Sequence, residues 1–186
     1  MTRGSTLPAH RLSHLSGRLA IPAQTRTSPT PPLTSPTPPL DGFNTAPAEE
    51  AHHTLLTCLR SLRWARRIAD HRPYPTLDAL LAASDEAAYD LTSGDLAEAL
   101  AGETLPPLPP DAYGAAHMAL SAAQAAYEAR FGHTFVICLD AVPAPESLDH
   151  ILGAIRSRLT NDPEDERVVA AEELRRLARQ RLLQLL

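Results

Sequence analysis

Hydrophobic residues recur every three or four positions through most of the chain beyond residue 42. This spacing is typical of α-helices that bury one face. The first such stretch, residues 49–69, predicts a single helix whose apolar face carries Leu55, Cys58, Leu59 and Leu62. His71, Pro73 and Pro75 end that helix, because proline lacks the N–H group that a helix interior needs.

Local capping and breaking signals mark the ends of further helices. These helices are expected to start at Thr76, at Thr92 or Ser93, near Ala112, near Glu146, and at Asn161 or Asp162. The last start is the clearest, because Pro163 and three acidic residues follow it and suit the first turn of a helix. The pattern predicts about six helices and no sheet. The fold class is therefore all-α, in a single compact multi-helix domain.

Residues 1–40 differ in composition from the rest of the chain. They hold 8 of the 18 prolines and four arginines but no acidic residue, and they contain the repetitive run TSPTPPLTSPTPP. Such a segment buries too little apolar surface to offset its ordering entropy. We predict a disordered leader at 1–40 and a helical domain at 41–186. A transit peptide and a proline-rich docking segment are alternative interpretations of the leader.

Composition excludes several classes of protein. The chain has 17 basic residues, all arginine, against 22 acidic ones, and the net charge of -5 does not favour a nucleic-acid partner. No run approaches the roughly 20 apolar residues of a membrane span, and the first 30 residues lack the continuous apolar stretch expected of a secretory signal. We expect a cytoplasmic protein without a membrane partner. Cys58 and Cys138 lack the spacing of a zinc site, so they predict two reduced, buried thiols and no metal.

One short stretch, residues 134–139 (TFVICL), reads as extended chain among helices. A single strand has no sheet to join. If this stretch is buried, its peptide groups must bond to side chains, to water or to a bound ligand.

Arg181 breaks the pattern of the last helix. At about 100° per residue, it falls inside the apolar arc formed with Leu174, Ala178 and Leu182. An unpaired buried charge costs several kcal/mol, so this guanidinium must reach solvent, pair with an internal group or bind an anionic ligand. The residues alone leave these three outcomes open.

Several words of sequence, in order and at compatible spacing, resemble a known family. They are Phe43-Asn44, Trp64-Ala65, Arg72-Pro73-Tyr74, residues 126–139 (AYEARFGHTFVICL) and residues 161–186 (NDPEDERVVAAEELRRLARQRLLQLL). Together they resemble the 2-oxo-4-hydroxy-4-carboxy-5-ureidoimidazoline (OHCU) decarboxylase family of urate degradation. The match covers nearly all of residues 42–186 and fails between Gly102 and Ala116.

The resemblance implies an all-helical, usually homodimeric lyase that needs no cofactor and yields (S)-allantoin. Its small-molecule ligand would be a ureidoimidazoline or a molecule like allantoin. The segment whose backbone lines the family's pocket corresponds to Phe135, Val136, Ile137, Cys138 and Leu139. Arg181 matches the family's active-site arginine. Arg158 and Asn161 match a further family word, RLxN, and are expected to play a supporting role.

Two words of the family pattern are missing. Family members carry a His-Pro pair whose histidine handles the proton, and here Glu103 and Thr104 take those positions. They also carry a Glu-Gln pair, and no Glu-Gln dipeptide occurs in this chain. A positioned acid typically contributes about 10² to 10⁴ in rate. The catalytic acid is therefore not identified, and Glu103 could replace the histidine only as a protonated acid.

These observations support two hypotheses about function. The first is a family decarboxylase whose acid is drawn from Glu103, His117 or His133. The second is a catalytically impaired paralogue that keeps the fold and serves as a small-molecule-binding or dimer-partner subunit. A third interpretation is an error in the sequence between residues 102 and 116.

Overall fold

The computed structural model describes residues 39–105 and 114–186. These residues form eight α-helices and one 3₁₀ turn, with no strand, which confirms the all-α prediction. The helices are α1 (Pro39–Thr45), α2 (Ala48–Cys58), α3 (Leu62–Asp70), α4 (Leu77–Tyr89), α5 (Ser93–Ala101), α6 (Gly114–Phe131), α7 (Ser147–Arg158) and α8 (Pro163–Leu185), with the 3₁₀ turn at Ala144–Glu146.

The single helix predicted over residues 49–69 is wrong, because the chain breaks into α2 and α3. Leu59 and Ser61 have extended backbone angles, and the hydroxyl of Ser61 accepts a hydrogen bond from the N–H of Trp64. Ser61 is thus an N-cap in the middle of an apparently continuous pattern. The break turns the apolar face, so Leu62 is 44% exposed and Trp64 takes the inward position.

Other helix starts follow the local signals. The hydroxyl of Thr76 accepts from the N–H of Ala79, and Thr92 forms a capping box with Asp95 at the start of α5. Pro163 lies in the first turn of α8 as predicted. Asp162 holds the N-cap position there without a side-chain cap hydrogen bond.

The first described helix, α1, starts at Pro39, two residues before the predicted domain boundary at 41. The C-terminal end of α1 is held by residues of the words Phe43-Asn44 and Arg72-Pro73-Tyr74. The side-chain amide of Asn44 bonds to both the N–H and the C=O of Tyr74, at 2.8 and 2.9 Å. Arg72 donates to the carbonyls of Phe43 and Ala46 at 2.7 and 2.9 Å. These contacts join α1 to the turn after α3.

The buried side chains form two hydrophobic clusters. The larger one gathers residues of α1 to α5 and of α8 around Trp64. The smaller one joins α6 and α7 through Leu120, Tyr127, Ile151 and Ile155. The two clusters meet at the extended stretch of residues 134–139, which the next section describes.

The leader predicted at 1–40 falls almost wholly in residues 1–38, which lie outside the described part of the chain. Within the part of the chain that is described, no helix combines the length and the apolar character needed to cross a membrane.

Candidate functional site

The extended stretch of residues 134–139 forms a wall between the two hydrophobic clusters. Phe135, Val136, Ile137 and Cys138 are all buried, although the stretch has no regular secondary structure. Successive side chains of extended chain point to opposite sides. Val136 accordingly packs in the larger cluster, whereas Phe135 and Ile137 pack in the smaller one. The stretch TFVICL therefore separates the two clusters and contributes side chains to both.

Side chains satisfy part of the backbone of this wall. The guanidinium of Arg158 donates to the carbonyl of Val136 at 2.7 Å, and the carboxylate of Glu173 accepts from the N–H of Cys138 at 2.6 Å. The N–H groups of Val136 and Ile137 have no acceptor among the described residues. Buried N–H groups nearly always have a partner. These donors are therefore available to water or to a ligand.

Arg181 lies opposite the wall on α8 and is paired internally. Its Nη1 and Nη2 donate to the two carboxylate oxygens of Glu103, each at 2.7 Å, and Nη1 also donates to the carbonyl of Cys58 at 2.8 Å. The side chain of Glu103 is only 5% exposed, and that of Arg181 is 31% exposed. The charge predicted to lie on the apolar face is thus matched by a carboxylate from the end of α5.

The pair opens onto a cavity of about 230 Å³. The lining residues are Glu103, Thr104, Leu105, Phe135, Val136, Ile137, Leu177 and Arg181. A cavity of about 150 Å³ suffices for benzene, so this volume accommodates a molecule with one small ring. Its described walls combine one guanidinium, one carboxylate and a backbone stretch with unpaired donors, which is the composition of a site for a small polar ligand.

The structure brings most of the predicted site residues to this cavity, but not all of them. Phe135, Val136, Ile137 and Arg181 line it, together with Glu103. Cys138 does not line it, and its N–H is held by Glu173. Leu139 packs instead beside the smaller cluster.

Arg158 and Asn161 lie behind the wall in a buried network centred on Glu166. Arg158 Nε donates to Glu166 at 2.8 Å, and the amide of Asn161 donates to the other carboxylate oxygen at 2.8 Å. The hydroxyl of Tyr127 donates to the same carboxylate. The guanidinium carbon of Arg158 also lies 4.5 Å from the ring centre of Phe135. This network supports the wall from behind.

At neutral pH the guanidinium of Arg181 is charged, whereas the two cysteine thiols near it are neutral. Hydrogen bonds to Glu103 raise the pKa of Arg181, so its guanidinium stays charged. Burial raises the pKa of the Cys58 thiol to about 11 and also raises the pKa of Cys138. Both cysteines are free and buried, as predicted, and both thiols are protonated at neutral pH.

Three residues that line the cavity or support its wall were not identified from the sequence. Leu177 lines the cavity, and Glu173 and Glu166 anchor the wall and its support. Glu166 is completely buried in the first turn of α8, where an acidic residue was read as a helix-end charge. The signal that could have found it is the same as for Arg181, namely a charge at an inward position of a helix.

The other histidine candidates lie away from the cavity. His117 is exposed on α6, and His133 packs its ring edge-on against Tyr127, with ring centres 5.5 Å apart. Neither belongs to the residues that line the cavity. Among the residues described, no group of three or more His, Cys, Asp or Glu side chains could hold a metal ion.

The sequence model of the family described as OHCU decarboxylase matches residues 44–104 and 111–183. The chain belongs to the OHCU decarboxylase family. The family match includes Glu103 and Thr104, and the unmatched gap is narrower than the interval between Gly102 and Ala116 that the sequence predicted. No curated protein matches the sequence.

Two solved structures share this fold at low sequence identity. A crystal structure of (S)-allantoin synthase is 20% identical, with a TM-score of 0.62 over 79% of this chain and 54% of the other. The chain therefore spans about half the length of that protein. A crystal structure of OHCU decarboxylase in the presence of (S)-allantoin is 19% identical, with a TM-score of 0.63 over 75% of this chain and 98% of the other.

Proposed function

We propose that the chain decarboxylates OHCU to (S)-allantoin and carbon dioxide in the cavity between Arg181 and residues 135–137. Membership of the OHCU decarboxylase family supports this kind of reaction. The observation that carries the proposal is the convergence of a partly buried guanidinium and of peptide N–H groups without an acceptor among the described residues on one small cavity. Arg181 would bind the carboxylate of the substrate, and the backbone wall would bind the polar groups of its ureido and ring portions.

The chemistry asks two things of the site. Breaking the bond to the carboxylate leaves an electron pair on the substrate as a carbanion or enolate, and this negative charge needs stabilisation. The anion must then take up one proton to give the product. Arg181 supplies the positive charge, and its pairing with Glu103 keeps it oriented toward the cavity. Among the described side chains that line the cavity, Glu103 is the one acid–base group that could carry the proton.

A stereochemically resolved turnover assay tests the proposal. OHCU freshly generated from urate is added, and the circular dichroism of the forming allantoin is followed. We expect (S)-allantoin to form faster than in buffer and Arg181→Ala to lower the rate by about a hundredfold or more, since it removes the main positive charge of the site. The matched control is Arg179→Ala, whose guanidinium pairs with Asp85 instead. Racemic product at the rate of buffer would contradict a catalytic role.

A specific observation favours the second hypothesis, a ligand-binding paralogue without activity. Both terminal nitrogens of Arg181 already bond to Glu103, and the lining side chains include no histidine. Such a protein would bind allantoin without accelerating its formation. Titration calorimetry with allantoin, run beside the turnover assay, separates the two functions.

We also propose a homodimeric assembly, because the family resemblance implies it. Light scattering on the purified chain gives the mass directly. A mass of twice 20.1 kDa would support this proposal, and a monomer at all concentrations would contradict it.

A further inference from the structure

The pair between Glu103 and Arg181 has the geometry of a bound carboxylate ligand. Two parallel N–H to O hydrogen bonds of 2.7 Å join the guanidinium to both carboxylate oxygens. This two-point arrangement is the one that arginine offers to any carboxylate, whether from a side chain or from a small molecule. Here the carboxylate belongs to the chain itself, and it faces the cavity proposed to hold the substrate.

A second carboxylate cannot enter this cavity without upsetting the charge balance. Among the described residues, the charged groups that line it are Glu103, just after α5, and Arg181 from α8. The nearby thiols of Cys58 and Cys138 are neutral, and Arg60 lies against Gly102 with its aliphatic stem. A bound ligand carboxylate would leave two negative charges sharing one guanidinium in a mostly buried space. Like charges at such a distance favour protonation of one of them.

We propose that Glu103 is an internal carboxylate that competes with the carboxylate of the ligand for Arg181, and that Glu103 takes up one proton from solvent when the ligand binds. This inference rests on the proposed function, because it assumes that the ligand occupies the Arg181 cavity. It assigns the role of proton carrier to Glu103.

The competition closes a catalytic cycle in which charges and atoms balance. Binding gives a protonated Glu103 beside the substrate, with the substrate carboxylate on Arg181. The bond to the carboxylate breaks, carbon dioxide leaves, and the electron pair remains on the substrate. The O–H bond of Glu103 then breaks as its proton moves to the substrate carbon. The Glu103 carboxylate returns to Arg181, whose anionic partner has departed as a neutral gas, and each turnover consumes the one proton taken up on binding.

Calorimetry with two probes of matched chemistry tests the competition. The probes are allantoate, a ureido carboxylate, and allantoin, which is neutral. Binding is measured at pH 7 in phosphate and in Tris, whose different ionisation enthalpies reveal proton uptake. We expect the wild type to take up about one proton per allantoate and none per allantoin. Glu103→Gln should take up none and bind allantoate about tenfold to hundredfold more tightly, since the internal competitor loses its charge. Its affinity for allantoin should stay within about twofold.

The controls separate this inference from the proposed function. Glu98 lies on α5, the helix that ends just before Glu103, and it is exposed and outside the cavity, so Glu98→Gln should behave as the wild type does. Equal allantoate affinity in the wild type and Glu103→Gln, without proton uptake, would overturn the competition. The proposed site would still stand if Arg181→Ala abolished binding of allantoate. If the wild type bound neither probe, the site and the competition would both fail.

A measurement on the unaltered protein covers the case in which Glu103→Gln unfolds. Uptake of one proton requires that the dissociation constant of allantoate rise about tenfold per pH unit above neutrality, while that of allantoin stays level. A level dissociation constant for allantoate between pH 6.5 and 8.5 would overturn the inference.

Discussion

Cys58 is a buried ionisable residue whose backbone carbonyl contacts the candidate site through Arg181. Burial raises its pKa from 9.0 to about 11. The folded state therefore holds the thiol proton more tightly than the unfolded state. Its contribution to stability is full below pH 9 and is lost as the pH rises from about 9 to 11. We expect the free energy of unfolding to fall by up to about 2 kcal/mol across that window through this residue.

Urea unfolding at pH 8, 9.5 and 10.5 measures this effect in the wild type and in Cys58→Ala. Tyr74 and Tyr127 also have raised pKa values, mainly because of burial, so the difference between the two proteins isolates the thiol. Parallel pH curves for the two proteins would show that Cys58 does not cause the decline.

The sequence shows that Arg181 places a charge on an apolar helix face, but it does not show which group pairs with that charge. Helical periodicity is local, so an arginine on an apolar arc is visible within four turns of α8. Its partner Glu103 lies 78 residues away in sequence. That pairing depends on the packing of α5 against α8, which periodicity does not encode. The resemblance pointed to Glu103 as a substitution, and the structure placed it on Arg181.

The wall of residues 134–139 shapes the site, and Glu173 binds its backbone at Cys138. The N–H of Cys138 donates to Glu173 at 2.6 Å, and Arg176 joins the same carboxylate to Asp140. We expect Glu173→Ala to speed hydrogen exchange at the Cys138 amide by about tenfold or more, because a hydrogen bond to a charged acceptor is lost. Allantoate affinity should fall severalfold while the melting temperature changes little.

Glu173→Gln is the matched control for this prediction. Its amide oxygen can still accept from Cys138, so exchange at that amide should stay near the wild-type rate. If Glu173→Ala leaves both the exchange rate and the affinity unchanged, Glu173 does not position the wall.

Helix starts were predictable where a single capping residue marks them. Thr76 and Thr92 cap their helices through their own hydroxyl groups, and that chemistry is legible within four residues. The break at Ser61 was missed because the apolar spacing continues across it from Leu59 to Leu62. The extended stretch at residues 134–139 was recognised because β-branched and aromatic residues stood out among alanine-rich helices.

The described part of the molecule contains two hydrophobic clusters, and a few buried polar contacts join them. Arg158 from α7, Tyr127 from α6 and Glu166 from α8 meet in one network across the wall. Other arginines of α8 pair with acids at the surface, for example Arg176 with Asp140 at 3.1 Å. Those exposed pairs contribute little to stability. The network around Glu166 is therefore the main polar link between the clusters, and neither its members nor their meeting point follows from local sequence.

Breaking this link should destabilise the molecule far more than breaking a surface pair. Glu166 is completely buried, so Glu166→Gln would leave Arg158 as a buried charge without a charged partner. We expect a loss of about 3 to 5 kcal/mol in the free energy of unfolding. Asp90→Asn, which removes a half-exposed partner of Arg67, should cost less than about 1 kcal/mol. Urea denaturation of the two variants measures both values.

Hydrogen exchange shows which helices lose stability in Glu166→Gln. If Glu166 links the clusters, amides of α6 and α7 should exchange faster in Glu166→Gln, because Tyr127 and Arg158 lose their shared acceptor. Amides around Trp64 in the larger cluster should keep their relative protection. Equal losses in the two variants, or uniform loosening of both clusters, would mean that apolar packing along the wall, rather than this carboxylate, holds the halves together.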